Sequence, residues 1–181
     1  MLSSCTRSAS VAWAFAALAG CTPTLNWRDV SVEPTGLQAL FPCKPERLSR
    51  EGSPGGVPVR MGLLSCEAGG WTFAVGYADL AQGADSGRAV AAMRSALVVN
   101  AGGRQATAHA ASAAGRVADP AAQRMSVRGR NADGRPVEVQ AQFFSHGARV
   151  FQASVVGSTE MPRDAAQTFF EGLHWPEQRR D

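Results

Sequence analysis

Two regions of the chain alternate between apolar and polar residues, and this pattern constrains the fold more than any other feature. In the first region, the alternation runs through residues 57–66 and again through residues 71–77, with Ala68-Gly69-Gly70 between them. Because successive side chains of a strand point to opposite faces, a period of two indicates a strand with one buried face. The glycine-containing turn predicts a β-hairpin. At this spacing Trp71 and Tyr77 are predicted to be core residues rather than a ligand-stacking platform.

The second region, residues 123–156, contains three further alternating segments, with turn residues at 132–134 and 146–147. Alternating segments joined by short turns predict a three-stranded antiparallel meander. One face of this meander is apolar. The other is polar, and it is either a solvated sheet face or a docking or small-ligand surface. The residues of this predicted binding face are Arg128, Arg130, Glu138, Gln140, Gln142 and Gln152.

Two segments change to a helical period. Residues 86–100 place Val90, Met93 and Leu97 on one stripe, and Ser86 is the predicted N-cap. A second helix is predicted after Pro162, near the C-terminus. Its apolar stripe consists of Ala165, Phe169, Phe170 and Leu173. The fold class is therefore α+β, with an antiparallel sheet of about six strands, a central helix and a C-terminal helix.

The remaining segments set the domain boundaries. Short strands are predicted at 27–32 and 37–41, and residues 44–57 are predicted to form a surface loop because they are rich in Pro, Gly and charge. The alanine-rich residues 106–122 are interpreted as a connector or an edge strand. We expect one α+β domain over residues 27–176, followed by a charged tail at 177–181.

The N-terminus has the order of an export signal. Arg7 precedes the apolar run 11–18, and small residues lead to Cys21. The run is shorter than the roughly 20 residues that span a bilayer. Leu18-Ala19-Gly20-Cys21 resembles the lipobox of bacterial lipoproteins. The alternatives are an ordinary secretory signal with a chance cysteine, or an uncleaved anchor.

The lipobox resemblance implies an address and an anchor. Residues 1–20 would be removed as the signal peptide, the thiol of Cys21 would carry a diacylglyceryl group, and residues 21–26 would form a short tether. Two or three acyl chains hold a protein stably on a membrane. The domain would face the periplasm of the cell envelope. By the sorting rule of enteric lipoproteins, Thr22 favours the outer over the inner membrane.

Export also narrows the roles of the cysteines. Cys5 would be removed with the signal peptide and Cys21 would carry lipid, so Cys43 and Cys66 are the two cysteines that remain available to form a disulfide. In an oxidising compartment a lone pair usually bridges, and we predict a structural disulfide worth about 3 kcal/mol. The alternatives are a redox pair, which would need closer spacing, and a metal site, which would need further ligands. The chain's histidines, which show no ligand-pair spacing, are His109, His146 and His174.

The order of elements points to a fold family. After Phe41-Pro42 come a long loop, a hairpin, a helix and a meander, and then Val150-Phe151-Gln152-Ala153 leads to Gly157 and a Phe169-Phe170-x-x-Leu173 helix. This order resembles the Mog1/PsbP-like fold, shared by lipoproteins similar to the DcrB type. The resemblance implies an α/β/α sandwich used mainly as a non-catalytic accessory or binding scaffold. A sheet covered on both faces should not show the polar face described above, so either that face is partly open or the helices lie mainly on one side, as in a two-layer sandwich.

Composition and motifs favour a binding module over an enzyme. The formal net charge is only +3 over 181 residues, so no nucleic-acid partner is predicted. Hydrolase, zinc and phosphate-loop motifs are missing from the sequence, and no catalytic, cofactor-binding or metal residue is assigned. We expect a membrane-anchored accessory module with an envelope protein as its partner. The alternative is an envelope hydrolase with an unrecognised site, in which Asp79, Asp85 or His146 would perform acid–base chemistry.

Overall fold

The structure is a computed structural model that describes residues 25–52, 59–102, 105–110, 123–158 and 163–176. The predicted signal peptide, Cys21 and the charged tail lie outside these residues. The strands are β1 (Arg28–Val32), β2 (Leu37–Phe41), β3 (Glu46–Gly52), β4 (Val59–Ala68), β5 (Trp71–Asp79), β6 (Gln105–Ala110), β7 (Gln123–Arg130), β8 (Pro136–His146) and β9 (Arg149–Gly157). The helices are α1 (Ser86–Asn100) and α2 (Arg163–Glu171). Neither of these helices is long and apolar enough to cross a membrane.

Seven strands form one sheet in the order β3-β4-β5-β9-β8-β7-β6, and β1 pairs with β2 in a separate hairpin. Every pairing is antiparallel. The predicted class, an α+β fold built on an antiparallel sheet with a central and a C-terminal helix, is confirmed. The main sheet contains seven strands where about six were expected.

Strand β3 was not predicted from the sequence, and the prediction of a loop over residues 44–57 was wrong there. Residues Glu46–Gly52 pair with β4 at seven consecutive positions. Leu48 is the only large apolar residue among them, and four of the seven are charged. A strand with so few apolar side chains shows no alternation of apolar and polar residues. The strand therefore forms because β4 offers backbone groups for pairing, and its own sequence pattern does not indicate it. At the opposite edge, β6 shows that part of the alanine-rich segment is an edge strand; residues 111–122 lie outside the described residues.

The two helices lie on opposite faces of the sheet. On the face that we call the front, the β1–β2 hairpin and α2 cover β4, β5 and β9. On the back face, α1 covers β7, β8 and β9. The front core includes Phe41, Phe73, Phe144, Phe151, Phe169 and Phe170. The back core includes Val90, Met125, Val127, Val139, Phe143 and Val150. The layers are therefore offset, and each helix covers only part of its face.

The N-cap of α1 lies one residue before the predicted cap. The side chain of Asp85, rather than that of Ser86, accepts a hydrogen bond of 3.1 Å from the backbone N–H of Arg88. A carboxylate at this position satisfies one of the free N–H groups of the first turn. Val90 is buried on the back face, and Met93 and Leu97 pack beside it as predicted.

Helix α2 packs against both the β1–β2 hairpin and the main sheet. The Phe169 ring packs edge-on against the rings of Phe41 in β2 and Phe73 in β5, at centroid distances of 5.4 and 5.5 Å. Beyond the helix, the backbone of His174 exchanges hydrogen bonds of 2.9 and 3.0 Å with Gln38 of β2. The C-terminal segment thus adds packing and hydrogen bonds to the same hairpin.

Two aromatic rings on the front face lie over glycines of the neighbouring strands. A Cβ atom on Gly62 would come within 2.2 Å of the Tyr77 ring, and one on Gly157 within 2.4 Å of the Trp71 ring. Each glycine is directly opposite its aromatic partner in the register. Both rings are buried, which confirms the prediction that Trp71 and Tyr77 are core residues.

Candidate functional site

Among the described residues, the offset of the two helices leaves two regions on opposite faces of the sheet that no helix or hairpin covers. On the front, the outer strands β8 and β7 carry polar side chains, and we call this surface the polar half-face. Its members are Arg124, Ser126, Arg128, Arg130, Glu138, Gln140 and Gln142. On the back, β3, β4 and β5 together with α1 form an apolar groove. A sheet with a helix on each side can therefore still expose a polar surface.

Two arginines, Arg128 and Arg130, are the exposed members of the polar half-face. Arg128 lies directly opposite Glu138, with 3.6 Å between its Nη2 and a carboxylate oxygen. The Arg128 side chain is 76% exposed, whereas that of Glu138 is 17% exposed. Arg130 donates to the carbonyl of Gly134 at 2.6 Å. An exposed ion pair of this kind contributes only about 0–1 kcal/mol, and the guanidinium keeps free donors for a partner.

The side chain of Arg124 contacts both β8 and α2. Its Nη2 donates to the side-chain oxygen of Gln142 at 3.1 Å, and its guanidinium lies 4.3 Å from the Phe170 ring centroid. Burial lowers the pKa of Arg124, and the nearby Glu171 carboxylate acts in the opposite direction. The guanidinium stays charged at neutral pH. Gln142 is only 2% exposed, so this predicted binding residue contacts Arg124 instead of solvent.

Gln152 does not belong to the polar half-face, although the sequence predicted it there. In the β8–β9 register it lies opposite Phe143, which is a back-face residue, whereas Gln140 and Gln142 lie opposite Val155 and Ala153 of the front core. Side chains alternate strictly along a strand, so a register assumed one residue out assigns each side chain to the wrong face. Gln152 instead lines the apolar groove.

The apolar groove has a volume of about 710 Å³ and lies on the back face between α1 and the β3 edge. This size is within the range of small-ligand pockets. Leu48 is 66% exposed and Leu63 is 38% exposed beside it. No charged side chain is present among its described lining residues, which include Leu48, Met61, Leu63, Ala78, Met93, Gln152 and Ser154. The sequence did not predict this groove because β3, one of its walls, was interpreted as a loop.

The three residues considered for acid–base chemistry each have a structural contact. Asp79 forms an ion pair with Arg149, whose guanidinium also lies 5.6 Å from the Tyr77 ring centroid. Asp85 caps α1. The His146 ring stacks on Trp175 at 4.1 Å. A hydrolytic site needs a nucleophile, a base and an orienting group in mutual contact, and these three residues form no such arrangement among themselves.

The disulfide between Cys43 and Cys66 is confirmed, with an S–S distance of 2.03 Å and a Cα–Cα distance of 6.0 Å. Cys43 follows β2 in the hairpin layer, and Cys66 lies in β4 within the front core. The bond therefore joins the hairpin layer to the sheet. No cluster of three or more metal-ligating side chains occurs within the ranges that the structure describes, and the side chain of His109 lies outside them.

No protein-family model matches this chain, and no curated protein is significantly similar to it in sequence.

Proposed function

We propose that this chain is a lipid-anchored lipoprotein of the cell envelope and that its domain is a non-enzymatic accessory module of the Mog1/PsbP-like type. The anchor proposal is supported by the apolar run 11–18 and by Leu18-Ala19-Gly20-Cys21. The fold proposal is supported by an antiparallel sheet with one helix on each face. The domain faces the periplasm, and Thr22 favours the outer membrane.

The observation that carries the binding role is the uncovered polar half-face. Arg128 and Arg130 project from β7 beside Glu138 and Gln140 of β8, and neighbouring strands lie about 4.8 Å apart. Arginine is enriched in protein interfaces because it combines several donors with an apolar stem. The surface is polar, whereas small-ligand pockets are lined mostly by apolar side chains, so it suits a protein partner better than a small ligand. We propose that an envelope protein with an acidic surface docks there.

Replacing Cys21 with serine is expected to release the protein from the membrane and to abolish incorporation of a fatty-acid analogue. Serine has no thiol to accept the diacylglyceryl group, and without acyl chains the hydrophobic anchor is lost. Membrane fractionation and metabolic labelling measure both effects. Cys5→Ser is the matched control, because Cys5 lies inside the predicted signal, and it should leave labelling unchanged. Labelling that persists in Cys21→Ser would contradict the anchor.

A photoreactive residue at Gln140 is expected to cross-link the docked partner in intact envelopes, whereas the same residue at Gln152 should not. The two positions are matched in residue type but lie on opposite faces of the sheet. Reversing the charge of Arg128 and Arg130 should reduce the Gln140 product about tenfold, because an acidic partner loses its attraction. Equal products from both positions, or a yield that ignores the charge reversal, would refute docking at the polar half-face.

A further inference from the structure

Strand β3 presents a free edge. It is the outermost strand of the main sheet and pairs with β4 from Glu46 to Gly52 without a bulge. Within the described ranges, no other strand pairs with its second side. Natural proteins commonly protect such an edge with a proline, a bulge, a covering element or charged side chains, and of these β3 carries charges, at four of its seven positions. The seven residues of β3 contain no proline, so the strand is regular enough to accept another strand.

The side chains of β3 are exposed and differ between its two sides. Arg47, Ser49 and Glu51 share the front side, because they lie opposite the front-face positions Leu64, Gly62 and Arg60 of β4. All three are exposed. Arg47 donates one hydrogen bond of 2.9 Å from its Nη2 to the carbonyl of Ser31, and a guanidinium has five N–H donors in all.

The front-side charges of β3 are complementary to themselves when two copies run antiparallel about Ser49, whereas on the back side Arg50 lies opposite Leu48 and Glu46 opposite Gly52. In that register Arg47 of one copy lies opposite Glu51 of the other, and the two-fold axis repeats the pair. Opposite charges on directly opposed residues stabilise a strand pair, whereas like charges destabilise it. A parallel, in-register pairing would place Arg47 against Arg47 and Glu51 against Glu51. The charge pattern therefore selects the two-fold antiparallel arrangement.

The back side of the same pairing covers exposed apolar surface. Leu48 is 66% exposed and lines the apolar groove. In the Ser49-centred register the two Leu48 side chains are diagonal neighbours, which is within reach of long side chains. The apolar floors formed by Leu48, Met61 and Leu63 in the two copies would then adjoin.

From the free edge, the complementary charges and the exposed Leu48, we propose that the β3 edge is a homodimer interface whose occupant is the β3 strand of a second copy of this chain. The symmetry is isologous, because the same residues contribute from both copies, and one edge of each copy is used. The result is a closed dimer with one continuous sheet. The polar half-face lies at the other end of the sheet, so the dimer does not depend on the proposed docking function.

Disulfide trapping of the full chain tests both the interface and its register. In Ser49→Cys the two introduced thiols face each other, and opposed Cα atoms about 4.5–5.5 Å apart are within the span of a disulfide. We expect a disulfide-linked dimer on non-reducing gels under mild oxidation. The matched control Ser95→Cys, on the exposed side of α1, should remain monomeric. Trapping of Leu48→Cys in place of Ser49→Cys would overturn the proposed register, and trapping of neither would overturn the interface.

A charge exchange tests the pairing independently of cysteine chemistry. Glu51→Arg should raise the dimer dissociation constant about tenfold, because two attractive pairs become repulsive. Combining it with Arg47→Glu should restore dimerisation, an outcome that mere local damage to β3 would not give. Sedimentation equilibrium of the detergent-solubilised full chain provides the measurement. A parent chain that is monomeric at all concentrations would overturn the proposal, and so would a double variant that dimerises as weakly as Glu51→Arg. If the chain were monomeric but bound an added extended peptide at β3, the occupant of the edge would be a foreign strand and not a second copy.

Discussion

Phe169→Ala is expected to lower the free energy of unfolding by about 4 kcal/mol. The side chain is fully buried and makes edge-on ring contacts with Phe41, Phe73 and Phe170. Truncation removes the transfer free energy of a large apolar group and leaves a cavity between three rings that cannot all collapse into it. Because Phe169 contacts both the hairpin and the sheet, its loss weakens the attachment of both layers.

Equilibrium unfolding in urea, followed by tryptophan fluorescence, measures this loss. Gln167→Ala on the same helix is the matched control, since its exposed amide makes one hydrogen bond of 2.7 Å to Glu171. That change should cost no more than about 0.5 kcal/mol. A Phe169→Ala variant within 1 kcal/mol of the parent chain would mean that α2 does not pack where the structure places it.

Replacing Cys43 and Cys66 together with alanine is expected to cost about 3 kcal/mol of stability. The two cysteines are 23 positions apart in sequence, and the bond between them lowers the conformational entropy of the unfolded chain. It also joins the segment after β2 to β4, so the unbridged hairpin is held by packing and hydrogen bonds alone. Alanine is preferred to serine because Cys66 is buried, where a new hydroxyl would need a partner.

A reductant separates the effect of the bond from the effect of the substitutions. Dithiothreitol should destabilise the parent chain by nearly as much as the double substitution does, and it should leave the stability of the double variant unchanged. If reduction had no effect on the parent chain, the bond would not contribute to stability. The Phe169 and disulfide changes should not add independently, because both loosen the same hairpin layer.

The strands that bury one face could be predicted because burial imposes alternation. β4, β5 and the meander have regular apolar positions, and the prediction of an α+β fold with two helices followed from them. The edge strand β3 could not be predicted in this way, since neither of its sides is deeply buried and only Leu48 is large and apolar. Its existence depends on free pairing groups of β4, which no local pattern of β3 reveals.

The candidate surfaces were predictable only in part, for the same physical reason. The polar residues of β7 and β8 were recognised from their alternation, but the face of Gln152 depends on the register across the turn after His146. Phe143 and Phe144 are adjacent in sequence and both are buried, one on each face of the sheet. Their apolar character therefore does not indicate which of the two shares a face with Phe151. The apolar groove combines residues of β3, β4, β5 and β9 with α1, and no single segment of the sequence indicates it.

Strand β9 has a consequence for how the chain is assembled as it is made. It pairs with β5 on one side and β8 on the other, and both of its faces are buried. In the described part of the chain it alone connects the β3–β4–β5 half of the sheet to the β8–β7–β6 half. Since β9 begins at Arg149, both half-sheets are synthesised before the strand that joins them emerges. The two half-sheets therefore become one sheet only when β9 pairs with both β5 and β8, and the front core is closed only by α2, which follows β9 in the chain.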